Sequence, residues 1–317
     1  MAKAPNNNSG DLFDADFLAG LERLHLIAKR LSTGSLGGTR RSRRLGDGLE
    51  FADHRDYTRG DDTRFIDWPY YARMDKLLIR LFHEHSESTV AIALDCSGSM
   101  APGGDSAKFD YSRRTAAALA YVAMGALDRV SLSAIGRRAG DAEPFGAGRN
   151  RGRIIGVLDY LRQLTAGGST DLVGSVKRMS RRVLKSATGG DSVGAVIVIT
   201  DLLDCGDDLD EALKRLQMSH SPSGRDVSVI HLFSPADSGR GDLGSGAMLL
   251  QHAETDKRMS LRLTAEIIEA YRLKWSEFQD RCRRICLSRR AAYIPACTDI
   301  PFERLILETL KRAGVWS

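Results

Sequence analysis

The stretch TVAIALDCSGSM, residues 89–100, joins an apolar run directly to one acidic residue and two serines. Its apolar part has the length and composition of a strand that is buried on both faces of a sheet. Asp95, Ser97 and Ser99 follow at alternate positions, so we expect their side chains to point to the same side of the chain. Gly98 removes steric hindrance where the backbone is expected to turn tightly. The stretch therefore predicts a buried strand that ends in a cluster of oxygen-bearing side chains.

Alternating strand and helix patterns follow this stretch toward the C-terminus. Short apolar runs predict further strands at Val130–Ile135, Val193–Thr200, Val227–Phe233 and Ala291–Pro295. Amphipathic or alanine-rich runs predict helices at Tyr111–Leu127, Arg151–Leu164, Asp171–Leu184, Leu209–Met218, Thr264–Leu287 and Phe302–Arg312. Strands and helices in alternation predict an α/β fold: a doubly wound, mostly parallel sheet with helices on both faces and Rossmann-like topology.

The sequence before residue 88 predicts an N-terminal extension with one helix and one strand. Residues 14–31 place apolar side chains on one face of a helix. Residues 76–85 predict a strand, and we expect it to pair with the strand at residues 89–94. We therefore divide the chain into an extension, residues 1–87, and an α/β domain, residues 88–317.

The composition is that of a globular protein. Of the 317 residues, 42% are hydrophobic and 27% are charged, and the net charge of +5 does not require a nucleic-acid partner. The five cysteines form no CxxC pair, so we expect reduced thiols rather than a disulfide framework or a zinc site. The N-terminus lacks a hydrophobic signal core, and no apolar run reaches the ~18 residues that cross a bilayer. These features predict a soluble cytoplasmic protein without a transmembrane segment.

Two later segments bring further oxygen ligands to the same edge of the predicted sheet. Asp201 directly follows the strand at residues 193–200, and Thr170 lies in the glycine-flanked loop GGSTDL. In doubly wound sheets, sites form beyond the carboxyl ends of the strands, where the strand order reverses. Two carboxylates and three hydroxyls suit a hard divalent cation such as Mg²⁺. The neutral hydroxyls leave such an ion electrophilic, with a position open to a carboxylate from another molecule.

This arrangement resembles the metal-ion-dependent adhesion site of von Willebrand factor type A domains. The resemblance rests on a DxSxS loop, a loop threonine and a strand-end aspartate, in that order along the chain. It implies that Ser97 and Ser99 bind Mg²⁺, or another divalent cation such as Mn²⁺ or Ca²⁺, directly. It also implies that Thr170 binds the ion directly or through water. Asp95 and Asp201 are then expected to act largely through bound waters.

The segment RDYTRGDDTRFIDWPYYAR, residues 55–73, narrows the resemblance to one family. Followed by a strand and the DxSxS loop, it is similar to the signature of bacterial proteins with domain of unknown function 58. The matching positions are Tyr57, Gly60, Asp61, Arg64, Ile66, Asp67, Trp68, Ala72 and Arg73. We favour a structural role for this signature over a direct binding role. Its acidic and arginine side chains, Asp62 among them, would form an ion-pair network, with Trp68 packed beneath.

The family resemblance implies a partner, because genes of this family commonly lie beside those of MoxR-type AAA+ ATPases. The protein is then expected to be a non-enzymatic adaptor or chaperone-like module whose metal accepts an acidic side chain from a protein partner. A magnesium-dependent phosphohydrolase is the alternative. Haloacid-dehalogenase-type phosphatases, however, need a second aspartate two residues after the nucleophile, where this chain has Ser97.

Two basic or glycine-rich segments have no clear place in this scheme. The cluster Arg40–Arg44 suggests nucleic-acid binding as a third hypothesis, but it lacks the aromatic platforms or recognised modules that would support it. We favour a solvated loop for this cluster. The glycine-rich loop at residues 234–246 has no role that the sequence alone assigns.

Overall fold

A computed structural model gives the fold of the chain. It describes residues 11–34, 45–46, 50–83, 88–101, 107–126, 128–136, 144–147, 151–169, 171–181, 192–203, 208–218, 226–241, 246–253 and 257–312. Within these residues the helices are α1 (Ala15–Gly34), α2 (Trp68–Met74), α3 (Ala107–Gly125), α4 (Ile154–Gln163), α5 (Leu172–Met179), α6 (Asp208–Met218), α7 (Ala265–Ser288) and α8 (Phe302–Arg312). The strands there are β1 (Leu45–Gly46), β2 (Glu50–Asp56), β3 (Leu78–His83), β4 (Ser88–Asp95), β5 (Arg129–Ile135), β6 (Phe145–Ala147), β7 (Ser192–Thr200), β8 (Asp226–Phe233), β9 (Gly246–Gln251), β10 (Arg258–Leu263) and β11 (Ala292–Cys297).

The central sheet confirms the predicted α/β fold. Its six strands lie in the order β11-β8-β7-β4-β5-β6. Neighbouring strands are parallel, except that β6 runs antiparallel to β5. The chain passes from β4 to β5 on one side and later from β7 to β8 on the other side, so the strand order reverses between β4 and β7. The carboxyl ends of these two strands therefore border the crevice in which doubly wound folds bind their ligands.

Strand β4 is buried on both faces, as its apolar sequence predicts. Ile92 and Leu94 belong to a core layer that includes side chains of α3, α4 and α8. Ala91 and Ala93 belong to the opposite layer, which includes side chains of α5, α6 and α7. Helix α1 adds Phe17 to the first layer and contacts α3 and α8. The division of the chain between residues 87 and 88 remains a prediction.

The predicted pairing of β3 with β4 is wrong. Strand β3 pairs antiparallel with β1 and β2 in a separate three-stranded sheet, whereas β4 lies between β5 and β7. The sequence of β2, EFADHRD, is too polar to show the alternation of a half-buried strand, so the true partner of β3 was not predicted. The two edges of β4 are taken by parallel strands that are themselves buried.

A hairpin that the sequence did not predict follows the glycine-rich loop. Strands β9 and β10 pair antiparallel along their whole length, with Leu250 opposite Met259. These two side chains and Leu249 are all exposed. Strand β9, GAMLLQ, has adjacent apolar residues and lacks the strict alternation that identifies a strand, whereas β10, RMSLRL, alternates strictly and was missed despite this signal.

The signature segment folds locally, but not around its tryptophan. The guanidinium of Arg55 donates to both carboxylate oxygens of Asp61, at 2.8 and 2.7 Å. Asp67 caps α2 by accepting from the Tyr70 backbone N–H at 3.0 Å. The expectation that Trp68 packs beneath these charges is wrong, because its side chain is 56% exposed. Asp67 also bonds His54 of β2 at 2.9 Å, whereas the Trp68 ring lies at the surface in a T-shaped contact with the Tyr71 ring.

Candidate metal centre

The structure brings most of the predicted ligands to the reversal point of the sheet. Asp95 is the last residue of β4, and Asp201 immediately follows β7. Both carboxylates are buried, as are the side chains of Ser97 and Ser99 in the loop after β4. The hydroxyl of Ser99 forms a hydrogen bond with Asp201, so the two strand ends share one polar cluster. Thr170, the fifth predicted ligand, lies outside the described residues.

The DxSxS loop is held in a single conformation by short hydrogen bonds. The backbone N–H of Ser97 donates to Asp95 Oδ1 at 2.9 Å. The hydroxyl oxygens of Ser97 and Ser99 lie 2.9 Å apart and are hydrogen-bonded to each other. Gly98 N–H donates to the carbonyl of Gly168 at 2.9 Å, which joins this loop to the one that precedes α5.

Gly98 is required by close approach rather than by an unusual backbone angle. A Cβ atom at this position would lie 2.9 Å from the carbonyl oxygen of Ala253 and 3.1 Å from that of Gly168. Both neighbours are backbone atoms, which cannot move aside as a flexible side chain can. Ala253 lies two residues after Gln251, the last residue of β9, so this end of the unpredicted hairpin lies against the DxSxS loop.

Thr200 fixes the second oxygen of Asp95. Its hydroxyl donates to Asp95 Oδ2 at 2.6 Å and accepts from the Leu202 backbone N–H at 3.1 Å. The sequence analysis did not identify this residue. Its position at the end of β7, directly before Asp201, was the only available signal.

Burial destabilises the charged form of both carboxylates. Burial, and after it the negative charge of Asp201, raises the pKa of Asp95 to about 6. The hydrogen bonds from Thr200 and Ser97 oppose this rise. Burial also raises the pKa of Asp201, although Lys108 works in the opposite direction. A cation between the two carboxylates would remove this penalty, because an opposite charge favours the ionised form.

A buried lysine that the sequence analysis missed lies beside Asp201. Lys108, in the first turn of α3, places its ammonium nitrogen 2.9 Å from Asp201 Oδ2 and 3.2 Å from Asp237 Oδ2. Burial by itself lowers the pKa of Lys108, but the charges of the two aspartates outweigh burial and raise it. Asp237 lies in the glycine-rich loop, of which residues 234–241 and 246 are described. Part of that loop thus belongs to the polar cluster.

The residues present fit a hard divalent cation. Mg²⁺ prefers six oxygens at about 2.0–2.1 Å, which places neighbouring ligands about 2.9 Å apart. The two serine hydroxyls have that separation. Among the described residues, no group of three or more His, Cys, Asp or Glu side chains is arranged to hold a metal. The described donors are therefore carboxylate and hydroxyl oxygens, which suit Mg²⁺, Mn²⁺ or Ca²⁺ better than zinc.

Asp95 is poorly placed to act as a nucleophile on a phosphoester. Both of its oxygens accept hydrogen bonds, from Ser97 N–H and from the Thr200 hydroxyl, and its side chain is buried. In haloacid-dehalogenase-type phosphatases, the residue at the position of Ser97 is an aspartate that acts as general acid. A serine hydroxyl does not serve that role near neutral pH. The geometry suits a rigid acceptor of a cation better than a reacting group.

A doubly wound sheet with this polar cluster at its reversal point has the von Willebrand factor type A-like fold. Within that class, the chain belongs to the family described as protein of unknown function DUF58, whose model matches residues 53–281. Uncharacterized proteins of Mycobacterium tuberculosis and Mycobacterium bovis are 25% identical over 253 residues, which cover 79% of this chain and 75% of theirs.

Solved structures with similar topology are more distant. The conserved hypothetical protein BatB from Bacteroides thetaiotaomicron has a TM-score of 0.42 and 17% identity, covering 72% of this chain and 98% of that one. An aerotolerance-related membrane protein from Bacteroides fragilis has a TM-score of 0.43 and 18% identity with the same coverage. A von Willebrand factor type A protein from Catenulispora acidiphila has a TM-score of 0.42 and 14% identity, covering 75% of this chain and 43% of that one.

Two further predictions concern membrane segments and the arginine cluster. None of the helices in the described part of the chain is long and apolar enough to span a bilayer. The cluster Arg40–Arg44, considered for nucleic-acid binding, lies outside the described residues.

Proposed function

We propose that this protein is a metal-dependent protein-binding module. Asp95, Ser97, Ser99, Thr170 and Asp201 would hold Mg²⁺, or Mn²⁺ or Ca²⁺ in its place. The observation that carries the proposal is the joining of two buried strand-end carboxylates with a pair of serine hydroxyls 2.9 Å apart. When bound, the ion supplies an electrophilic position that a carboxylate from a partner protein can occupy.

The chain's own residues prepare this position in two ways. Thr200 and the Ser97 backbone N–H hold both oxygens of Asp95, so little rearrangement is needed on binding. Ser97 and Ser99 contribute neutral oxygens, which orient the ion without cancelling its charge. A site built in this way is pre-organised, and pre-organisation lowers the entropic cost of binding a partner.

The β9–β10 hairpin supplies a surface for the partner beside the ion. Ala253, two residues after β9, lies against Gly98, and Leu250 and Met259 form an exposed cross-strand pair. An isolated two-stranded hairpin is marginally stable in water, so cover by a second protein would stabilise it. We therefore infer a partner surface with an acidic side chain flanked by apolar residues.

The partner that the family resemblance favours is a MoxR-type AAA+ ATPase. In this proposal the protein acts as a non-enzymatic adaptor or chaperone-like module, in the cytoplasm, that helps the ATPase to remodel or activate a client. Nothing in the polar cluster requires turnover of a substrate. A phosphoester hydrolysis assay with and without Mg²⁺ tests the enzymatic alternative, which gains support if turnover requires both Mg²⁺ and Asp95.

The binding test uses a MoxR-type ATPase encoded in the same genome, immobilised on a biosensor. We expect binding by the wild-type chain in millimolar Mg²⁺ and loss of binding in EDTA. The variants Asp95→Ala and Ser99→Ala should both lose binding in Mg²⁺, while Asp16→Ala, at an exposed position of α1, should bind as the wild type does. Affinity that survives both EDTA and Asp95→Ala would rule out a metal bridge.

A further inference from the structure

The ammonium group of Lys108 is among the most deeply buried charges of the described chain. Its side chain is only 4% exposed, and the carboxylates that it contacts are 1% exposed at Asp201 and 19% exposed at Asp237. Removing a lysine from water at this depth is costly unless carboxylates compensate the charge. A lysine that served only packing would be replaceable by methionine without this cost, so its charge calls for an explanation.

Asp237 is held in place independently of Lys108. Its Oδ2 also accepts from the Ser234 backbone N–H at 2.8 Å, and its own N–H donates to Ser234 Oγ at 3.1 Å. The hydroxyl of Tyr271 on α7 donates to the Asp237 carbonyl at 2.6 Å. The turn therefore offers the ammonium group a second carboxylate whose position does not depend on Asp201.

Charge balance makes Lys108 and a divalent cation competitors. Asp95, Asp201 and Lys108 together carry a formal charge of −1, whereas the two carboxylates alone carry −2. A divalent cation near Asp201 and an ammonium 2.9 Å from the same carboxylate repel each other at short range in a buried setting. Asp237 gives the ammonium a neighbour that it can keep while its contact with Asp201 weakens.

We propose that the Lys108 ammonium group is an internal counter-cation that competes with the metal for Asp201. When the metal binds, Asp237 keeps its contact with this ammonium group. Lys108 thus sets the affinity of the centre for divalent cations. It keeps that affinity low enough for a partner's carboxylate to contribute to binding of the ion. This inference rests on the proposed metal-binding function and assigns specific roles to two residues that no part of the sequence motif includes.

The test measures Mg²⁺ affinity by isothermal titration calorimetry for three variants. Lys108→Met keeps the length of the side chain and removes its charge, so we expect the Kd for Mg²⁺ to fall about tenfold or more. Asp237→Asn keeps the shape of the turn and removes the second carboxylate. Lys108 then has Asp201 alone, and we expect the Kd to rise about threefold or more. Lys274→Met makes the same change in net charge at an exposed position of α7 and should leave the Kd unchanged.

The two opposite directions separate competition from a merely structural role. If Lys108 only positions Asp201, both Lys108→Met and Asp237→Asn should weaken binding, and the inference is overturned. The same conclusion follows if both variants bind Mg²⁺ with the wild-type Kd. If Lys108→Met fails to fold without metal, Lys108→Gln takes its place, because it also removes the charge, and a Kd at or above the wild-type value then contradicts the proposal. A wild-type chain that binds no divalent cation instead contradicts the proposed function itself.

Discussion

The hydroxyl of Thr200 at the end of β7 donates a 2.6 Å hydrogen bond to Asp95 Oδ2 at the end of β4. This bond crosses the point where the strand order of the sheet reverses, so it joins the two strand ends that border the ligand crevice. It also stabilises the ionised form of Asp95, against the effects of burial and of Asp201. A strand-end threonine outside the predicted ligand set is thus part of what prepares the centre.

We expect Thr200→Val to destabilise the fold and to weaken metal binding, since it leaves Asp95 Oδ2 buried without this donor. The free energy of unfolding near neutral pH should fall by about 1–3 kcal/mol. Thr115→Val is the matched control, because Thr115 is also buried and its hydroxyl bonds only a helix carbonyl, that of Tyr111. Chemical denaturation and Mg²⁺ calorimetry of both variants check this. An unchanged Mg²⁺ affinity in Thr200→Val would show that the bond does not prepare the centre.

Mg²⁺ should stabilise the wild-type fold in a saturable manner. At a concentration about 100 times the Kd, a ligand that binds only the native state contributes about 2.7 kcal/mol. We therefore expect Tm to rise with Mg²⁺ and to return to its starting value in excess EDTA, as measured by differential scanning calorimetry. Asp95→Asn should remove the dependence on Mg²⁺, because an amide is a poorer ligand than a carboxylate. An equal rise of Tm in this variant would place the bound ion elsewhere.

Gly98→Ala should disturb the metal centre out of proportion to its size. The added Cβ would lie 2.9 Å from the Ala253 carbonyl oxygen, so either the hairpin turn or the DxSxS loop must shift. We expect a loss of stability of about 1–3 kcal/mol and a weaker affinity for Mg²⁺. Gly146→Ala is the control, because a Cβ there meets no atom within 4 Å. Equal effects of the two substitutions would exclude the close contact as the cause.

Truncation of Trp68 and of Trp275 should lower the free energy of unfolding by very different amounts. Trp68 is 56% exposed, so Trp68→Ala should change the free energy of unfolding by less than about 1 kcal/mol. Trp275 is buried against Phe233 and His231, so Trp275→Ala should cost about 3–5 kcal/mol. Urea denaturation of both variants measures these values. A large loss for Trp68→Ala would restore the expectation that it supports the signature segment.

Most of the cysteines should resist modification in the folded protein. Cys96, Cys282, Cys286 and Cys297 are buried free thiols, and burial raises the pKa of Cys282 to about 11 and that of Cys286 to about 12. A raised pKa leaves little reactive thiolate at pH 8, and the fraction grows only as the pH approaches the pKa. Ellman's reagent at pH 8 should react quickly with no more than one thiol in the native state and with all five in guanidinium. Rapid reaction of two or more native thiols would contradict the buried positions.

Helices and strands could be predicted from the sequence where a single pattern of apolar residues identified them. Strands such as β4 and β7 are buried on both faces, so nearly every residue in them is apolar and the pattern needs no knowledge of neighbours. The clustering of Asp95, Ser97, Ser99 and Asp201 also follows from sequence, because parallel strands that end in oxygen-bearing residues place them at one edge. Strands β2 and β9 were missed, since their polar or two-sided patterns carry no such signal, whereas the alternating sequence of β10 was not recognised.

The sequence by itself determined the five parallel strands of the central sheet and which oxygens lie at its carboxyl edge, because both depend on local order along the chain. Tertiary structure decided that the ammonium group of Lys108 lies beside these oxygens and that Ala253 lies against the DxSxS loop. Lys108, Asp201 and Asp237 are separated by 93 and 36 residues, yet one ammonium group contacts both carboxylates. The energy of such a contact depends on distance and burial in the folded state, and neither quantity is encoded in the spacing of the residues.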